Sequence, residues 1–230
     1  DSSTSRGLGD VYKRQIQNWM SYYDEATLSL TASLERQHAR TLSKIPGFRS
    51  KKALPLAAIY GGNASGKTGV LNALRCIKKM ILSPATVNKT VPVIPFFLNS
   101  KAFNEPTVFD ITFLMNDNVY RWVVEATRKT VLYESLEIVK ENKIIDIYER
   151  DTQENTFEYN DDFFTKSDHI EYVAATTRDN QVFFGNAVSQ NVVELNEAYD
   201  WFDEVLELVG VESQAWTCLL YTSPSPRDVE

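Results

Sequence analysis

The sequence predicts an α/β fold, and three features of the chain support that prediction. An apolar segment at 56–60 leads through a glycine-rich loop at 61–68 into a stretch with helical periodicity. Short runs of alternating apolar and polar residues fill 108–160 and predict an antiparallel β-meander. Helical spacing returns at about 191–209. With 230 residues, 43% of them apolar, the chain can bury a sizeable core, which we expect to span 16–216.

The first regular structure is predicted to be a pair of strands between residues 16 and 30. Two runs with spaced apolar residues, which include Ile16 and Leu28, flank a polar turn at 23–25. The stretch from 33 to 52 is polar and basic. It could help to hold a nucleotide or touch DNA, but a solvated connection is the interpretation that we favour. Its basic residues are Arg36, Arg40, Lys44, Arg49, Lys51 and Lys52.

The glycine-rich loop has the spacing GxxxxGK(S/T), the Walker A pattern of phosphate-binding loops. Such a loop curls its backbone N–H groups toward a triphosphate, and glycine permits the close approach that this needs. We expect Lys67 to reach the β- and γ-phosphates as the catalytic cation and Thr68 to hold Mg²⁺ through its hydroxyl. The predicted cofactors are therefore ATP and Mg²⁺. The predicted nucleotide-binding residues are Gly61, Gly62, Asn63, Ala64, Ser65, Gly66, Lys67 and Thr68.

The residues on either side of the loop favour this interpretation. The apolar segment 56–60 predicts a strand that enters the loop. After the loop, apolar residues recur three and four positions apart and predict an amphipathic helix that ends at Ser83 and Pro84. The alternative, a Gly-Ser turn that binds nothing, fits this context less well. The helical positions are Val70, Leu71, Leu74, Ile77 and Ile81.

The middle of the chain changes character after a connection at 84–106 that contains four prolines. Phe109, Ile111 and Phe113 alternate with polar residues, as expected for a strand with one buried face. Polar turns then separate further strand-like runs, so the segment 108–160 predicts a meander of four or five strands. These turns are expected at 116–118, 128–129, 141–142 and 152–155.

The chain contains two cysteines and two histidines. Cys76 falls on the predicted helix after the loop and is expected to be a small core residue, and Cys218 lies near the end. His38 and His169 have no Cys or His neighbour at metal-ligand spacing. The sequence therefore predicts neither a disulfide framework nor a zinc site.

The segment IYGGNASGKTGVLNAL resembles the phosphate loop of the ABC-type ATPases of the SMC, RecF and OLD group, and OLD-like ATPases most closely. Looser similarities lie at 16–30, at Pro95 to Leu98 and at Trp201 and Phe202. The resemblance implies the N-terminal part of an ABC/SMC-like ATPase of the AAA P-loop families. It also implies ATP hydrolysis, a homodimer that sandwiches ATP, and a role in DNA maintenance or phage defence with DNA or an effector nuclease as partner.

Several parts that the resemblance requires are missing from the chain. We find no apolar strand that ends in Asp-Glu, and no glutamine lies between Lys67 and Gln153 to contact Mg²⁺. The nearest Asp-Glu string, at 201–204, has a helical pattern, and Ser189-Gln190 is a fragment of a signature segment at best. The predicted fold is thus a truncated P-loop NTPase of ABC-ATPase type with a β-meander subdomain. Nucleotide binding rests on residues that are present, whereas ATP hydrolysis is an expectation for the full-length protein.

Composition and the chain ends limit the remaining possibilities. A net charge of −7 argues against a basic nucleic-acid-binding surface over the whole chain. No membrane span or signal peptide is recognisable, so we expect a cytoplasmic protein. The segments 1–15 and 217–230 lack apolar periodicity and resemble translated adapter sequence, so we expect non-native tails there.

Two other functions are compatible with a phosphate loop. A P-loop kinase or another phosphoryl transferase would need a lid over its acceptor, and a β-meander is not its usual companion. A nucleotide-gated module without catalytic activity would bind ATP and not hydrolyse it. Loss of ATP that depends on an acceptor and yields no free phosphate would favour the transferase, and ATP binding without turnover would favour the non-catalytic module.

Overall fold

The computed structural model describes residues 13–32, 40–83, 86–87 and 89–210. The strands are β1 (Lys13–Gln17), β2 (Ala26–Ser29), β3 (Ser43–Lys44), β4 (Lys52–Ala53), β5 (Thr107–Met115), β6 (Asn118–Ala126), β7 (Val131–Lys140), β8 (Lys143–Asp151) and β9 (Thr156–Tyr159). The α-helices are α1 (Lys67–Leu82), α2 (Ser167–Thr176), α3 (Phe183–Ser189) and α4 (Asn196–Asp200). Two 3₁₀ turns lie at Ala102–Asn104 and Val193–Leu195, and a π-helical turn follows α4 at Trp201–Val205.

Seven of the strands form one antiparallel sheet in the order β2-β1-β5-β6-β7-β8-β9. The last five follow one another in sequence, so 107–159 forms the meander that the alternating segments predict. Strand β1 begins at Lys13, inside the segment 1–15 that we expected to be a non-native tail. Residues 1–12 and 211–230 lie outside the described part of the chain, so the nature of both tails stays a prediction.

One face of this sheet carries the main core. Phe109, Ile111 and Phe113 of β5 are fully buried, as their alternation predicts. The ring of Phe113 stacks on Trp201, with 4.6 Å between ring centroids, and Phe202 packs edge-on against the same ring. Burying a large apolar side chain contributes about 1.5–3 kcal/mol, so these contacts fix the end of the described chain against the sheet.

The other face of the sheet carries polar groups and a small second cluster. Asp110 is buried there and accepts three hydrogen bonds from Arg121 of the neighbouring strand, the shortest of them 2.8 Å from Nη2. Ile45 and Phe48, from the connection between β3 and β4, pack on Val119 at the end of β6. The segment after β2 therefore covers part of this face and does not reach the main core.

Helix α1 crosses the core face and contacts α3 closely. Its buried residues follow the predicted spacing and include Leu74, Ile77 and Ile81, and the helix ends at Ser83. At Gly185 of α3, an added Cβ would lie 2.0 Å from the carbonyl oxygen of Ile81. Since no side chain fits in that space, glycine at this position sets the distance between the two helices.

Two predicted elements differ from the structure. Residues 56–60 form no strand, and no strand of the described chain pairs with them. A strand forms only where a neighbouring strand satisfies its backbone N–H and C=O groups, and this segment has no such neighbour in the described chain. Its side chains are therefore not covered, and Leu56 and Tyr60 are 81% and 90% exposed.

The continuous helix expected at about 191–209 is instead a 3₁₀ turn, the short helix α4 and a π-helical turn. In the π turn the N–H of Leu206 donates to the carbonyl oxygen of Trp201 at 2.8 Å. Trp201 and Phe202 both become buried in this arrangement. Packing of two large rings against the sheet therefore outweighs regular helix geometry.

None of the helices in the described residues has the length and apolarity to span a bilayer.

Candidate functional site

The predicted phosphate loop at 61–68 leads directly into α1, whose first residue is Lys67. Its backbone takes left-handed dihedrals at Ala64, with φ of 61°, and at Gly66, with φ of 93°. These dihedrals turn the chain back on itself before the helix begins. The unpaired N–H groups at the start of α1 face the concave side of such a turn, where they can bind an anion.

Two of the loop glycines have serine side chains close to where a Cβ would lie. A Cβ on Gly61 would lie 2.6 Å from Oγ of Ser65, so a side chain there would fill the curled loop. A Cβ on Gly66 would lie 2.9 Å from Oγ of Ser21, and the left-handed dihedral of Gly66 adds to the constraint. The loop is thus a cradle that side chains would close.

The ammonium group of Lys67 lies inside this curl. Its Nζ donates hydrogen bonds to the carbonyl oxygens of Gly61 at 2.8 Å and Gly62 at 2.6 Å, and to Oγ of Ser65 at 3.3 Å. A positive charge is therefore fixed next to the first N–H groups of the helix. Both features favour an anion with several oxygens, as phosphates have.

Thr68 lies in the first turn of α1, and its side chain is exposed. An exposed hydroxyl beside a fixed ammonium and a helix N-terminus fits a Mg²⁺ ion that is shared with phosphate oxygens. Asn63 is also exposed, in the turn that precedes Ala64. The residues present therefore fit ATP with Mg²⁺. When bound, ATP would supply the negative charge of its phosphates, and Mg²⁺ would be the counter-ion.

The loop borders a cavity of about 700 Å³. No carboxylate is among the described residues that line it. On the side away from the loop, the cavity is bounded by the segment that follows α1, where Phe97 and Leu98 are 61% and 90% exposed. The residues that line it are Met20, Ser21, Ala64, Ser65, Gly66, Lys67, Thr68, Gly69, Asn72, Ile94, Phe96, Phe97 and Leu98.

Two aromatic side chains contact the loop that the sequence did not single out for this role. The hydroxyl of Tyr22 donates to the carbonyl oxygen of Gly66 at 2.8 Å, and Nε1 of Trp19 donates to the carbonyl oxygen of Gly69 at 3.0 Å. Both lie in the connection between β1 and β2, about 40 residues before the loop. The only available signal was the looser family similarity of this segment.

The other candidate residues lie away from the loop. Asp203 and Glu204 are exposed in the π-helical turn, where the Asp203 carbonyl accepts a hydrogen bond from Lys78. Lys78 is eleven residues along α1 from Lys67, which is about 16 Å along the helix axis. The string 201–204 therefore supplies no carboxylate to the phosphate loop in the described chain.

The histidine and the basic residues have other surroundings. His169 is hydrogen-bonded through Nε2 to the carbonyl oxygen of Gln190 at 2.9 Å, and no cluster of potential metal ligands occurs in the part of the chain that is described. Arg49 contacts Glu141 in the β7–β8 turn, at the end of the sheet opposite Thr107. The two ends of the sheet are about 25 Å apart, which is the length of β5, so Arg49 lies about that far from the end at Thr107. His38 and Arg36 lie outside the described residues.

One comparison with known proteins gives a match. The model of a protein family described as "AAA domain, putative AbiEii toxin, Type IV TA system" matches residues 56–220, which is well over half of the chain. The matched region includes the whole phosphate loop, α1 and the meander. No curated protein matches the chain at a significant level.

Proposed function

Because the chain belongs to this AAA-domain family of P-loop NTPases, we propose that it binds ATP with Mg²⁺ at 61–68. The observation that carries the proposal is the position of Lys67, whose ammonium is bonded to the carbonyls of Gly61 and Gly62 at the start of α1. In this arrangement Lys67 binds the β- and γ-phosphates, and backbone N–H groups of the loop bind the remaining oxygens. Thr68 holds Mg²⁺.

Calorimetry with ATP and Mg²⁺ tests this assignment. Lys67→Ala removes the only side-chain cation among the described residues that line the cavity. A hydrogen bond to a charged group contributes about 1.5–3 kcal/mol, so we expect the Kd for ATP to rise about 10- to 100-fold. Lys79→Ala is the matched control, because Lys79 is exposed on the same helix, twelve residues from Lys67. Equal affinities in the two variants would contradict the assignment.

We propose further that ATP hydrolysis needs a carboxylate from outside the described residues. Attack of water on the γ-phosphate requires a group that orients and polarises the water, and a carboxylate commonly serves. The absence of a carboxylate among the described residues around the cavity supports the proposal. We expect this chain to bind ATP and to release phosphate no faster than its Lys67→Ala variant. Sustained phosphate release that depends on Lys67 would refute it.

We propose that the loop face is covered by a second protomer when ATP is bound, as the resemblance to ABC-type ATPases implies. Large apolar side chains are exposed around the loop, and their burial would favour association. Tyr60 and Leu98 are each 90% exposed, Leu56 is 81% exposed and Phe97 is 61% exposed. Light scattering should give a higher mass with ATP and Mg²⁺ than with ADP. An unchanged monomer mass at saturating ATP would contradict the proposal.

We place the biological role of the nucleotide cycle in DNA maintenance or phage defence, with DNA or an effector nuclease as partner. Support comes from the resemblance of 59–74 to OLD-like ATPases and from the toxin–antitoxin description of the family. Expression in bacteria tests this role, because a toxin or defence ATPase should slow growth or phage plating through its phosphate loop. The Lys67→Ala variant should have no such effect on growth or phage plating. The same effect with the wild type and the variant would argue against this role.

A further inference from the structure

The carbonyl side of the phosphate loop is held by the β1–β2 connection. The hydroxyl of Tyr22 donates a 2.8 Å hydrogen bond to the carbonyl oxygen of Gly66, the last residue before α1. Nε1 of Trp19 donates a 3.0 Å hydrogen bond to the carbonyl oxygen of Gly69, in the first turn of α1. Neither side chain is among the described residues that line the cavity beside the loop, so these donors contact the loop and the start of α1 from outside that cavity.

The fit between the connection and the loop is close. A Cβ on Gly69 would lie 2.9 Å from Cε2 of Tyr22, and a Cβ on Gly66 would lie 3.1 Å from its hydroxyl oxygen. The Tyr22 ring therefore packs directly on the backbone of the loop and the helix start. Such contact leaves the loop little room to move toward the connection.

The connection is itself anchored to the sheet. Trp19 is 2% exposed and packs edge-on against Phe109 of β5, with 5.1 Å between ring centroids. Trp19 and Tyr22 exchange two backbone hydrogen bonds of 2.8 Å, and the N–H of Met20 donates to the carbonyl oxygen of Ile94. The two side chains that contact the loop are therefore held by the main core.

This geometry determines where the first N–H of α1 points. The Gly66 carbonyl and the Lys67 N–H belong to one planar trans peptide unit, in which the C=O and N–H bonds point in opposite directions. The Gly66 carbonyl accepts hydrogen bonds from the Tyr22 hydroxyl at 2.8 Å and from the N–H of Gly69 at 2.7 Å. Tyr22 thus adds a second bond to the one made within the helix start, and the two together hold the Lys67 N–H of the same peptide pointing away from Tyr22. That N–H has no partner within the helix and is free to bind an anion.

We propose that Tyr22, supported by Trp19, is a positioning residue that orients the Gly66–Lys67 peptide for phosphate binding. The inference rests on the proposed ATP site and adds a residue that acts through the loop backbone. Tyr22 is not among the described residues that line the cavity beside the loop, so in this role it acts through the backbone and not on the base or sugar. Its contribution therefore depends only on the phosphates and is the same for any ligand that carries them.

Tyr22→Phe tests the proposal, because it removes one hydroxyl and leaves the ring that packs on Gly69. Tyr23→Phe is the matched control: the Tyr23 hydroxyl makes no hydrogen bond to any residue in the described ranges. Calorimetry with ATP–Mg²⁺ should show a Kd about three to ten times higher for Tyr22→Phe, the range expected for loss of one hydrogen bond, and an unchanged Kd for Tyr23→Phe. The same increase is expected with inorganic tripolyphosphate and Mg²⁺, which carry no base or sugar.

Hydrogen exchange of the ligand-free protein provides a second measurement. Amides of 66–70 should exchange faster in Tyr22→Phe than in the wild type, while those of 119–126 in β6 should not change. This pattern separates a local positioning role from general loss of stability, which would accelerate both segments.

Three results would overturn the inference. These are an unchanged Kd in Tyr22→Phe, a rise with ATP that is absent with tripolyphosphate, and equal acceleration of exchange in both segments. The second result would indicate direct contact with the base or sugar. If the wild type itself fails to bind both ligands, the proposed ATP site is wrong; if it binds and Tyr22→Phe binds equally, only the positioning role is wrong.

Discussion

Glu134 on β7 is the buried charge on which the packing of α3 depends. Its side chain is 0% exposed, and its two oxygens accept hydrogen bonds from four donors. Oε2 accepts from the N–H of Phe183 at 2.5 Å, and Oε1 accepts from the N–H of Phe184 at 3.0 Å. The other two donors are Nε1 of Trp122 at 3.1 Å and the hydroxyl of Tyr148 at 2.8 Å. The carboxylate thus caps α3 from the sheet.

The substitution Glu134→Gln keeps the shape and removes one acceptor. If the amide oxygen replaces Oε1, the amide NH₂ faces the N–H of Phe183, and two donors oppose each other in a buried site. A buried donor without a partner costs about 1–3 kcal/mol. Burial raises the pKa of Glu134, and the hydrogen bond from Phe184 and the charge of Arg150 offset only part of that rise. Removing the charge therefore recovers part of that cost, and we expect a net destabilisation of about 1–2 kcal/mol.

Urea unfolding followed by circular dichroism measures this loss. With m of about 2 kcal/mol per molar urea, in the middle of the usual range, the unfolding midpoint should fall by about 0.5–1 M at unchanged m. A midpoint within 0.3 M (roughly 0.6 kcal/mol at a typical m) of the wild type would refute the argument. It would mean that the Phe183 N–H finds another acceptor.

Glu125→Gln is a matched control with the opposite expected sign. Glu125 lies on the neighbouring strand β6 and is half-buried; burial, with the charge of Asp151, raises its pKa. A raised carboxyl pKa means that folding favours the protonated form, so Glu125 loses stabilising effect as the pH rises through that pKa. The variant should therefore be more stable than the wild type at pH 7, with a difference that shrinks toward pH 4. A variant that is less stable at pH 7 would contradict this sign.

Three further predictions concern the core and the loop. Gly185→Ala must separate α3 from the Ile81 carbonyl by about 1.4 Å to restore ordinary contact, so we expect a loss of about 1–3 kcal/mol and a Tm lower by several degrees in calorimetry. Burial raises the pKa of the Cys76 thiol to about 12, so in a Cys218→Ser background iodoacetamide at pH 8 should label Cys76 only after unfolding, as mass spectrometry can show. Ala64→Gly should be neutral or stabilise by up to about 1 kcal/mol in urea unfolding, because its φ of 61° favours glycine, and a clear loss would contradict this.

The meander was predictable because its information is local. Alternation along Phe109, Ile111 and Phe113 specifies a strand with one buried face, and polar turns set where each strand reverses. Neighbouring strands then pair without any long connection. Five successive strands could therefore be placed from their own residues.

The segment 56–60 was wrongly predicted to be a strand for the opposite reason. Its apolar composition is that of a buried strand, yet pairing depends on a partner distant in sequence. The described residues provide none, so Leu56 and Tyr60 are exposed. The apolar pattern of 56–60 indicated that these side chains favour burial. It contained no information about which strand would pair with them.

The candidate site, like the fold, was predictable only where the information is local in the sequence. The string at 61–68 was sufficient to locate the loop, because backbone curl and the terminal lysine are encoded within eight residues. The contacts of Trp19 and Tyr22 with that loop depend on how β1 and β2 pack against α1. Tyrosine and tryptophan in a strand pair predict core residues, and nothing in their spacing indicates a hydrogen bond to Gly66.

The two sides of the phosphate loop are therefore held by different means. After Gly66, α1 and the β1–β2 connection fix the backbone. Before Gly62, the chain has no strand partner in the described residues, and Lys67 provides the tie through the carbonyls of Gly61 and Gly62. An ammonium group has three donors, and Ser65 takes the third. A phosphate that binds Lys67 must replace at least one of these bonds, so we expect ATP binding at the proposed site to loosen the N-terminal side of the loop while the C-terminal side stays fixed.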